Sequence, residues 1–182
     1  MIFSVGARPD LLVSCREPRV INNAEAHDAC LTDILQLAQQ RVVIVSPWVS
    51  LFRLRESGIL STMQQAVERD ISVELYTDYR FNSFTNHRFD EEKNAQFKAC
   101  CTELTAHGIA VRVVNKVHSK LLMADNNFIC IGSYNWASAQ RQGEYKNFET
   151  SLLYSGELKD EIHIQLTSLQ ERIRRDFSPD VA

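Results

Sequence analysis

The sequence predicts an α/β domain in which a mixed, largely parallel β-sheet carries helices on both faces, and three observations predict it. Apolar strands alternate with amphipathic helices over residues 24–114, which is typical of parallel strands joined by covering helices. From Val117 to Leu153, strands follow one another without helices between them. Residues 156–177 then carry an apolar stripe at helical spacing, which predicts a last helix packed against the sheet.

The elements follow in a regular order along the chain. Apolar side chains at helical spacing predict helices over residues 24–39, 57–69 and 91–107, and β-branched apolar runs predict strands over residues 41–48, 71–77 and 109–114. Asn22 or Asn23 is available as the cap of the first helix, and Gly108 lies where the third helix should end. The later strands are VHSKLLMA and, after a DNN turn, NFICIGS and NFETSLLY.

Residues 78–89, DYRFNSFTNHRF, form the one long segment without a periodic pattern. One interpretation is a solvated loop between a strand and a helix. The other is a substrate-contacting loop, in which Arg80, His87 and Arg88 would meet phosphates while aromatic side chains stack on bases. The aromatic candidates are Tyr79, Phe81, Phe84 and Phe89.

Composition indicates one domain, covering residues 1–182, without a global basic field. The chain has 45% apolar residues, enough for one sizeable core, and 20 Lys and Arg against 23 Asp and Glu give a formal charge of −3. Any phosphate-binding surface must therefore be local. The five cysteines lack zinc-site spacing and are expected to be reduced and mostly buried. Without a basic leader or an apolar run of roughly 20 residues, we expect a soluble, cytoplasmic protein.

One segment combines residue types that carry chemistry. In VHSKLLMADNNFICIGSYNW, His118 and Lys120 are separated by one residue, Asp125 follows after four more, and Gly132-Ser133 follows after another six. Asn135 completes the pattern. Six specified residue types at fixed spacing make a strong signal, whereas each residue alone would be explained as well by a solvated strand edge or a turn.

Strand geometry predicts that these side chains share a pocket. In an extended strand, side chains two residues apart lie on one face, so His118 and Lys120 should point the same way. The same reasoning pairs Ser133 with Asn135, and pairs Asn147 with Glu149 on the next strand. If the strands are neighbours, one polar pocket contains a nucleophile, a cation and a carboxylate.

Those groups match the needs of phosphodiester cleavage. A neutral imidazole can attack phosphorus, and a carboxylate on its other ring nitrogen would fix the tautomer, for which Glu149 is the candidate. Lys120 and Asn135 would hold the non-bridging oxygens of the transition state, and Ser133 would add a hydrogen bond. This chemistry requires no metal and no cofactor.

The pattern resembles the HKD signature of the phospholipase D superfamily, and the resemblance extends to Glu149, where that family carries a downstream acidic residue. It implies a phospholipase D-like α/β/α sandwich and a covalent phosphohistidine. Size and the single motif are most similar to the small bacterial HKD nucleases, which work as homodimers. In the family the aspartate is mainly structural, and here Asp125 is expected to form an Asx-type turn or a salt bridge.

A single motif predicts two chains. In-line displacement places the nucleophile and the leaving oxygen on opposite sides of phosphorus, so one imidazole cannot both attack and protonate the leaving group. A twofold dimer would bring His118 opposite its own copy. His87 is the alternative acid within one chain, although nothing in its spacing favours it. The remaining histidines, His27, His107 and His163, are expected at the surface of helices.

Three functions fit the motif. The leading hypothesis is a metal-independent nuclease acting on DNA, with RNA as a further candidate substrate. Tyr134, Trp136 and Tyr145 flank the motif, where each would either stack on bases or pack in the core. Local cations would hold the nucleic-acid backbone. The cations in question are Lys116, Arg141, Lys146 and those of residues 78–89. The second hypothesis is a lipid phosphodiesterase or phosphatidyl transferase, disfavoured because lipid-acting relatives usually carry two motifs. The third is a DNA-binding module that works with partner proteins of a restriction or phage-defence assembly.

Overall fold

A seven-stranded mixed sheet forms the centre of the computed structural model, which describes residues 18–140 and 147–177. The strands of this sheet are β1 Arg19–Asn22, β2 Arg41–Val45, β3 Ser72–Asp78, β6 Ala110–Val114, β7 Lys120–Ala124, β8 Phe128–Gly132 and β9 Thr150–Ser155. Two short strands, β4 Phe84–Thr85 and β5 Arg88–Phe89, form a separate hairpin. The order in the large sheet is β1-β9-β8-β7-β2-β3-β6.

The pairing follows the two patterns in the sequence. Strands separated by helices pair in parallel, β2 with β3 and β3 with β6. Strands without helices between them pair antiparallel, β7 with β8 and β8 with β9, while β7 also joins β2 and β9 joins β1. The prediction of a mixed sheet between helices is confirmed.

Helices cover both faces of the sheet. They are α1 Asn23–Leu37, α2 Leu51–Glu56, α3 Ile59–Glu68, α4 Tyr79–Ser83, α5 Glu91–Ala106 and α6 Lys159–Gln170. Because side chains alternate across a strand, Val42 and Ile44 pack under α1, α3 and α5, whereas Val43 and Val45 pack under α6. Each of these four side chains is buried, so β2 is covered on both faces as its apolar run predicts.

The last helix is shorter than the sequence predicts. It ends at Gln170 because the chain then pairs with the free edge of β6. Asn115 N donates to the Arg172 carbonyl at 3.0 Å, and Arg174 N donates to the Val113 carbonyl at 2.8 Å. Phe177, expected on the helix stripe, instead lies 5.4 Å from Phe97, between ring centroids. The sheet edge is thereby covered.

Residues 78–89 are ordered, which corrects the expectation of an irregular segment. Asp78 caps α4 by accepting hydrogen bonds from Arg80 N and Phe81 N, at 2.8 and 3.2 Å. The β4–β5 hairpin follows, and its turn residues Asn86 and His87 have φ of 49° and 64°. Two left-handed residues in a two-residue loop are typical of a type I′ turn, whose twist matches that of the strands.

Smaller expectations agree with the structure. Gly108 follows α5 with φ of 77°, as a helix-terminating glycine should. Four of the five cysteines are buried and form no disulfide within the described residues, and Cys15 lies outside those residues. No helix within residues 18–140 and 147–177 is long and apolar enough to cross a bilayer.

Candidate active site

The strand ends that carry the motif meet at one edge of the sheet. The carboxyl ends of the parallel strands β2, β3 and β6 lie at this edge, which is the usual place for sites in α/β sheets. Register brings the start of β7 to the same edge, because Leu121 pairs with Val45. Gly132 at the end of β8 pairs with Ser151 near the start of β9. The topology therefore gathers the motif residues at this edge, except Asp125.

His118 and Lys120 lie side by side at this edge. His118 is exposed and precedes β7 rather than lying in it, yet Lys120 Nζ lies 3.2 Å from its Nε2 and 3.4 Å from its Nδ1. The segment before them is fixed by Asp78, whose Oδ2 accepts a hydrogen bond from Val117 N at 2.9 Å. Trp48 and Phe81 flank the imidazole, with centroids 5.5 and 5.4 Å away. The predicted proximity of His118 and Lys120 is thus observed.

Two opposing effects act on the charge of Lys120. Its ammonium has donors only, so the imidazole nitrogen that faces it must accept. Partial burial lowers the pKa of Lys120, and the negative charge of Glu149 opposes that shift. Its Nζ also lies 5.6 Å from the centroid of Trp48. Glu149 therefore favours the charged form of Lys120, which is the form that binds an anion.

Ser133 and Glu149 are held together by the close approach of β8 and β9. The Ser133 hydroxyl donates to Glu149 Oε2 and accepts from Thr150 N at 3.2 Å. Gly132 makes this approach possible, since a Cβ there would lie 2.0 Å from Ser151 Oγ. Among the described residues no hydrogen bond joins Glu149 to His118, which corrects the expectation that Glu149 orients the imidazole. Ser133 holds Glu149 and has no hydroxyl hydrogen left for substrate.

Asn135 and Trp136 have different environments. Asn135 is partly exposed, and its Oδ1 is buried without a hydrogen-bond partner in the described part of the chain. An unpaired buried amide oxygen is costly and is typical of a functional position. Trp136 is fully buried, so the expectation that it stacks on substrate is wrong. Its ring packs on Tyr134 and on His27, with centroids 5.2 and 5.5 Å away.

Asp125 is structural, as predicted, through partners that the sequence did not indicate. It lies beyond the far end of β7, about 16 Å along the strand from Lys120. Its carboxylate accepts backbone hydrogen bonds from Gln39, Gln40 and Arg41, at 3.1, 2.9 and 3.0 Å. These bonds fasten the β7–β8 turn to the start of β2, so Asp125 stabilises the sheet on which the site is built.

The expected substrate-binding cations divide into three groups. Arg80, His87 and Lys116 line a cleft of about 540 Å³ beside Trp48 and Phe81. Arg88 is exposed on β5 and does not line it. Arg141 and Lys146 lie outside the described residues. Within the described ranges, no cluster of three or more His, Cys, Asp or Glu side chains could hold a metal ion.

His27 was expected at the surface and is instead buried beneath the motif. Its Nδ1 lies 2.6 Å from the Asn23 carbonyl and therefore carries the hydrogen, so Nε2 accepts from Ser151 Oγ at 2.8 Å. Its ring stacks on Tyr134, 4.4 Å between centroids. Burial lowers the pKa of His27, opposed by its bond to Asn23 and by Glu149. A neutral imidazole thus fixes the start of β9. The other two expectations hold, since His163 is exposed and His107 half-exposed.

Comparison with known proteins identifies relatives of this fold. A family model described as cardiolipin synthase, PLD-like domain, matches residues 31–174. The fold is similar to Nuc from Salmonella typhimurium, a phospholipase D family member, with TM-score 0.62 and 19% identity, covering 87% of this chain and 97% of that chain. NucT from Helicobacter pylori gives TM-score 0.57 and 15% identity, covering 86% and 94%. Phosphatidylserine synthase from Haemophilus influenzae gives TM-score 0.61 and 14% identity, and the match covers 86% of this chain and 38% of the synthase chain. No curated protein matches the sequence.

The buried His27 predicts a pH-dependent stability. A histidine whose pKa is lowered by folding binds its proton more readily in the unfolded chain, so acid favours unfolding below the ordinary value of 6.5. We expect His27→Gln to be about 1–2 kcal/mol less stable than wild type at neutral pH, because a buried hydrogen bond is weakened. As the pH is lowered from about 7 to 5, the free energy of unfolding of His27→Gln should fall less steeply than that of wild type. The two slopes should differ by up to ~1.4 kcal/mol per pH unit.

Urea unfolding at several pH values measures both effects. His163→Gln is the matched control, because His163 is exposed on α6 and its loss should leave the pH profile unchanged. Parallel pH profiles for wild type and His27→Gln would contradict a neutral buried imidazole.

Proposed function

The chain belongs to the phospholipase D superfamily of phosphodiesterases, and from this premise we propose that it is a nuclease that cleaves DNA, and RNA as well, through a covalent phosphohistidine. The observation that carries the proposal is the exposed His118–Lys120 pair beside a cleft rich in cations, in a chain whose net charge is −3. Cations gathered at one place in an acidic protein indicate a polyanionic substrate.

The reaction proceeds in two displacements at phosphorus. In the first, a ring nitrogen of His118 forms a bond to phosphorus, and the bond to one ester oxygen breaks as that oxygen takes a proton. In the second, water attacks the phosphohistidine, loses its proton to the group that had acted as acid, and releases a phosphate monoester and free His118.

The motif residues divide the work of stabilising negative charge. Lys120 lies within hydrogen-bond distance of the imidazole and would contact a non-bridging oxygen of a phosphate attacked there. Asn135 would hold another non-bridging oxygen with its amide. Glu149, held by Ser133, would favour the charged form of Lys120 without binding the substrate. The charges and donors of the chain thus supply the electrostatic stabilisation that the transition state requires.

The proportions of the relatives support a nuclease over a lipid enzyme. The chain covers 97% of Nuc and 94% of NucT, but only 38% of the phosphatidylserine synthase chain. The fold of this chain thus accounts for nearly the whole of each small nuclease and for only part of the synthase. With one motif in this domain, we propose that a second copy supplies the second acid.

An apolar row beside the site supports such a homodimer. Ile131 pairs with Leu152, and Leu152 pairs with Val20, so the three side chains lie next to one another on one face of the sheet. Ile131 is 50% exposed, Leu152 48% and Val20 62%. Leu121, which pairs with Ile131 and is the next residue in the row, is buried. A twofold axis near this row would cover it and bring His118 of the partner subunit to the leaving oxygen.

The substrate class is tested by incubating the purified protein with single- and double-stranded DNA, RNA and a phospholipid, in EDTA. We expect DNA to be cleaved fastest and His118→Ala to lose about 10³-fold or more of the activity, since the nucleophile is gone. Because cations bind the phosphate backbone, the rate of cleavage should also fall steeply as the salt concentration is raised. Product lengths on a gel and release of the lipid headgroup are the two measurements.

Phospholipid hydrolysis without DNA cleavage would overturn the nuclease proposal. Loss of cleavage in EDTA, restored by a divalent cation, would overturn the metal-independent mechanism. A matched control is His163→Gln, which removes an exposed histidine from α6 and should cleave like wild type.

The shared site is tested by mixing chains. Wild-type chains co-expressed with a large excess of His118→Ala chains form mostly heterodimers, which hold one histidine where two are needed. Activity per wild-type chain should fall about 100-fold, the usual contribution of a positioned acid. An excess of Glu68→Ala chains, altered at an exposed residue at the end of α3, should leave that activity unchanged. Full activity in the His118→Ala heterodimers would refute a shared site.

A further inference from the structure

A cleft next to His118 combines aromatic surfaces with cations. It has a volume of about 540 Å³, within the usual range for pockets that hold a small ligand. The aromatic side chains lining it are Trp48, Phe81 and Phe84. Its charged and polar lining comprises Asp78, Arg80, Asn86, His87, Lys93 and Lys116. An unpaired nucleotide binds to surfaces of these two kinds, because its base stacks on a flat aromatic face and its phosphate is attracted to cations.

The aromatic wall of the cleft is continuous with the nucleophile. Trp48 and Phe81 contact each other, with ring centroids 4.3 Å apart. Their centroids also lie 5.5 and 5.4 Å from that of the His118 ring. The two rings therefore form a platform whose one end is the imidazole and whose other end is the cleft. A base seated on this platform belongs to a nucleotide whose phosphate can reach His118.

The platform is built before substrate arrives. Asn82 follows Phe81 on α4 and is buried against the loop that carries Trp48, and its amide donates to the carbonyls of Pro47 and Asp78, at 2.8 and 2.7 Å. Its Oδ1 accepts from Val49 N at 3.1 Å. Because one buried side chain joins α4 to the Trp48 loop, the rings lose little freedom when a base stacks on them.

The charge of the cleft selects an anion. Arg80, Lys93 and Lys116 face it with His87, against one carboxylate, that of Asp78. The Asp78 oxygens already accept three backbone hydrogen bonds, from Arg80, Phe81 and Val117. Three permanent cations repel a positively charged lipid headgroup and attract a phosphate, so the aromatic rings face a base and not a quaternary ammonium group.

We propose that the cleft holds one unpaired base beside the phosphodiester under attack, so that the enzyme cuts single-stranded nucleic acid in preference to duplex. The inference rests on the proposed nuclease function and assigns its substrate class. In a duplex each base is paired and stacked on both faces, so it must leave the stack before it can reach the platform. In a single strand the base is free to enter the cleft and stack on a ring of the platform.

A single strand that carries one stable abasic analogue tests the proposal on the unaltered protein. If a base must occupy the cleft, the phosphodiester whose neighbouring base is missing should be cut about tenfold more slowly than the other positions of the same strand. Cleavage is mapped at nucleotide resolution, so the rest of the strand serves as the internal control. A duplex of the same sequence should be cut at least about tenfold more slowly than the strand.

Two variants connect the effect to the cleft. Phe84→Ala removes one of the three aromatic rings that line the cleft, at a residue that does not contact His118, and should lower the rate on single strands and make the dip at the abasic position shallower. Phe52→Ala is the matched control, because Phe52 is 65% exposed on α2 and does not line the cleft. It should cut every position like wild type. A circular dichroism melt verifies that Phe84→Ala is folded, and Phe84→Leu replaces it if it is not.

The outcomes separate the two proposals. Uniform cutting across the abasic position, or equal rates on strand and duplex, would overturn the base-holding cleft while the nuclease function stands. Absence of cleavage at every position of every nucleic acid would overturn the nuclease function itself. Hydrolysis of anionic phospholipid vesicles that is lowered by Phe84→Ala would overturn the cleft proposal by assigning it a lipid headgroup.

Discussion

The buried carboxylate of Asp78 is the interaction on which the site depends most. It ends β3, and its two oxygens accept backbone hydrogen bonds from the first turn of α4 and from Val117. One side chain therefore positions Phe81, which walls the cleft, and the segment that presents His118. The carboxylate is buried and its partners are backbone groups. A shift of either segment would therefore leave a buried charge without a hydrogen-bond partner, which is costly. His118 and the cleft are thus fixed relative to each other by the fold.

A second arrangement, across the sheet, supports the charges. Gly132 lets β8 and β9 approach closely, Ser133 holds Glu149, and His27 fixes Ser151 from below. These contacts reach Lys120 through Glu149, which favours the charged form of that lysine. The parallel half of the sheet, with its helical crossovers, supplies the cleft, and the antiparallel half supplies Lys120, Ser133 and Glu149. The central β2–β7 pair joins the two halves, and its register brings the start of β7 to the carboxyl ends of the parallel strands.

Much of this organisation is visible in the sequence, and what is missing has physical reasons. Helix and strand periodicity gives the sheet and its covering helices, and the spacing of His118 and Lys120 gives the reacting pair. β1 was not predicted because it is a short edge strand with little burial, so it lacks an apolar pattern. Contacts between distant segments, such as Asp125 with the backbone of residues 39–41, leave no local signal. His27 did leave one, since it falls on the buried stripe of α1 between Ala24 and Leu31.

The central claim is that cleavage passes through a phosphohistidine, and the stereochemistry at phosphorus tests it most directly. A phosphodiester made chiral with sulfur and an oxygen isotope is cleaved in water of a different isotope, and the configuration of the product is determined. Each in-line displacement inverts phosphorus, so attack by His118 followed by attack by water gives net retention. Net retention is the result that this account predicts. Net inversion would mean that water attacks the substrate directly, and would contradict a covalent role for His118.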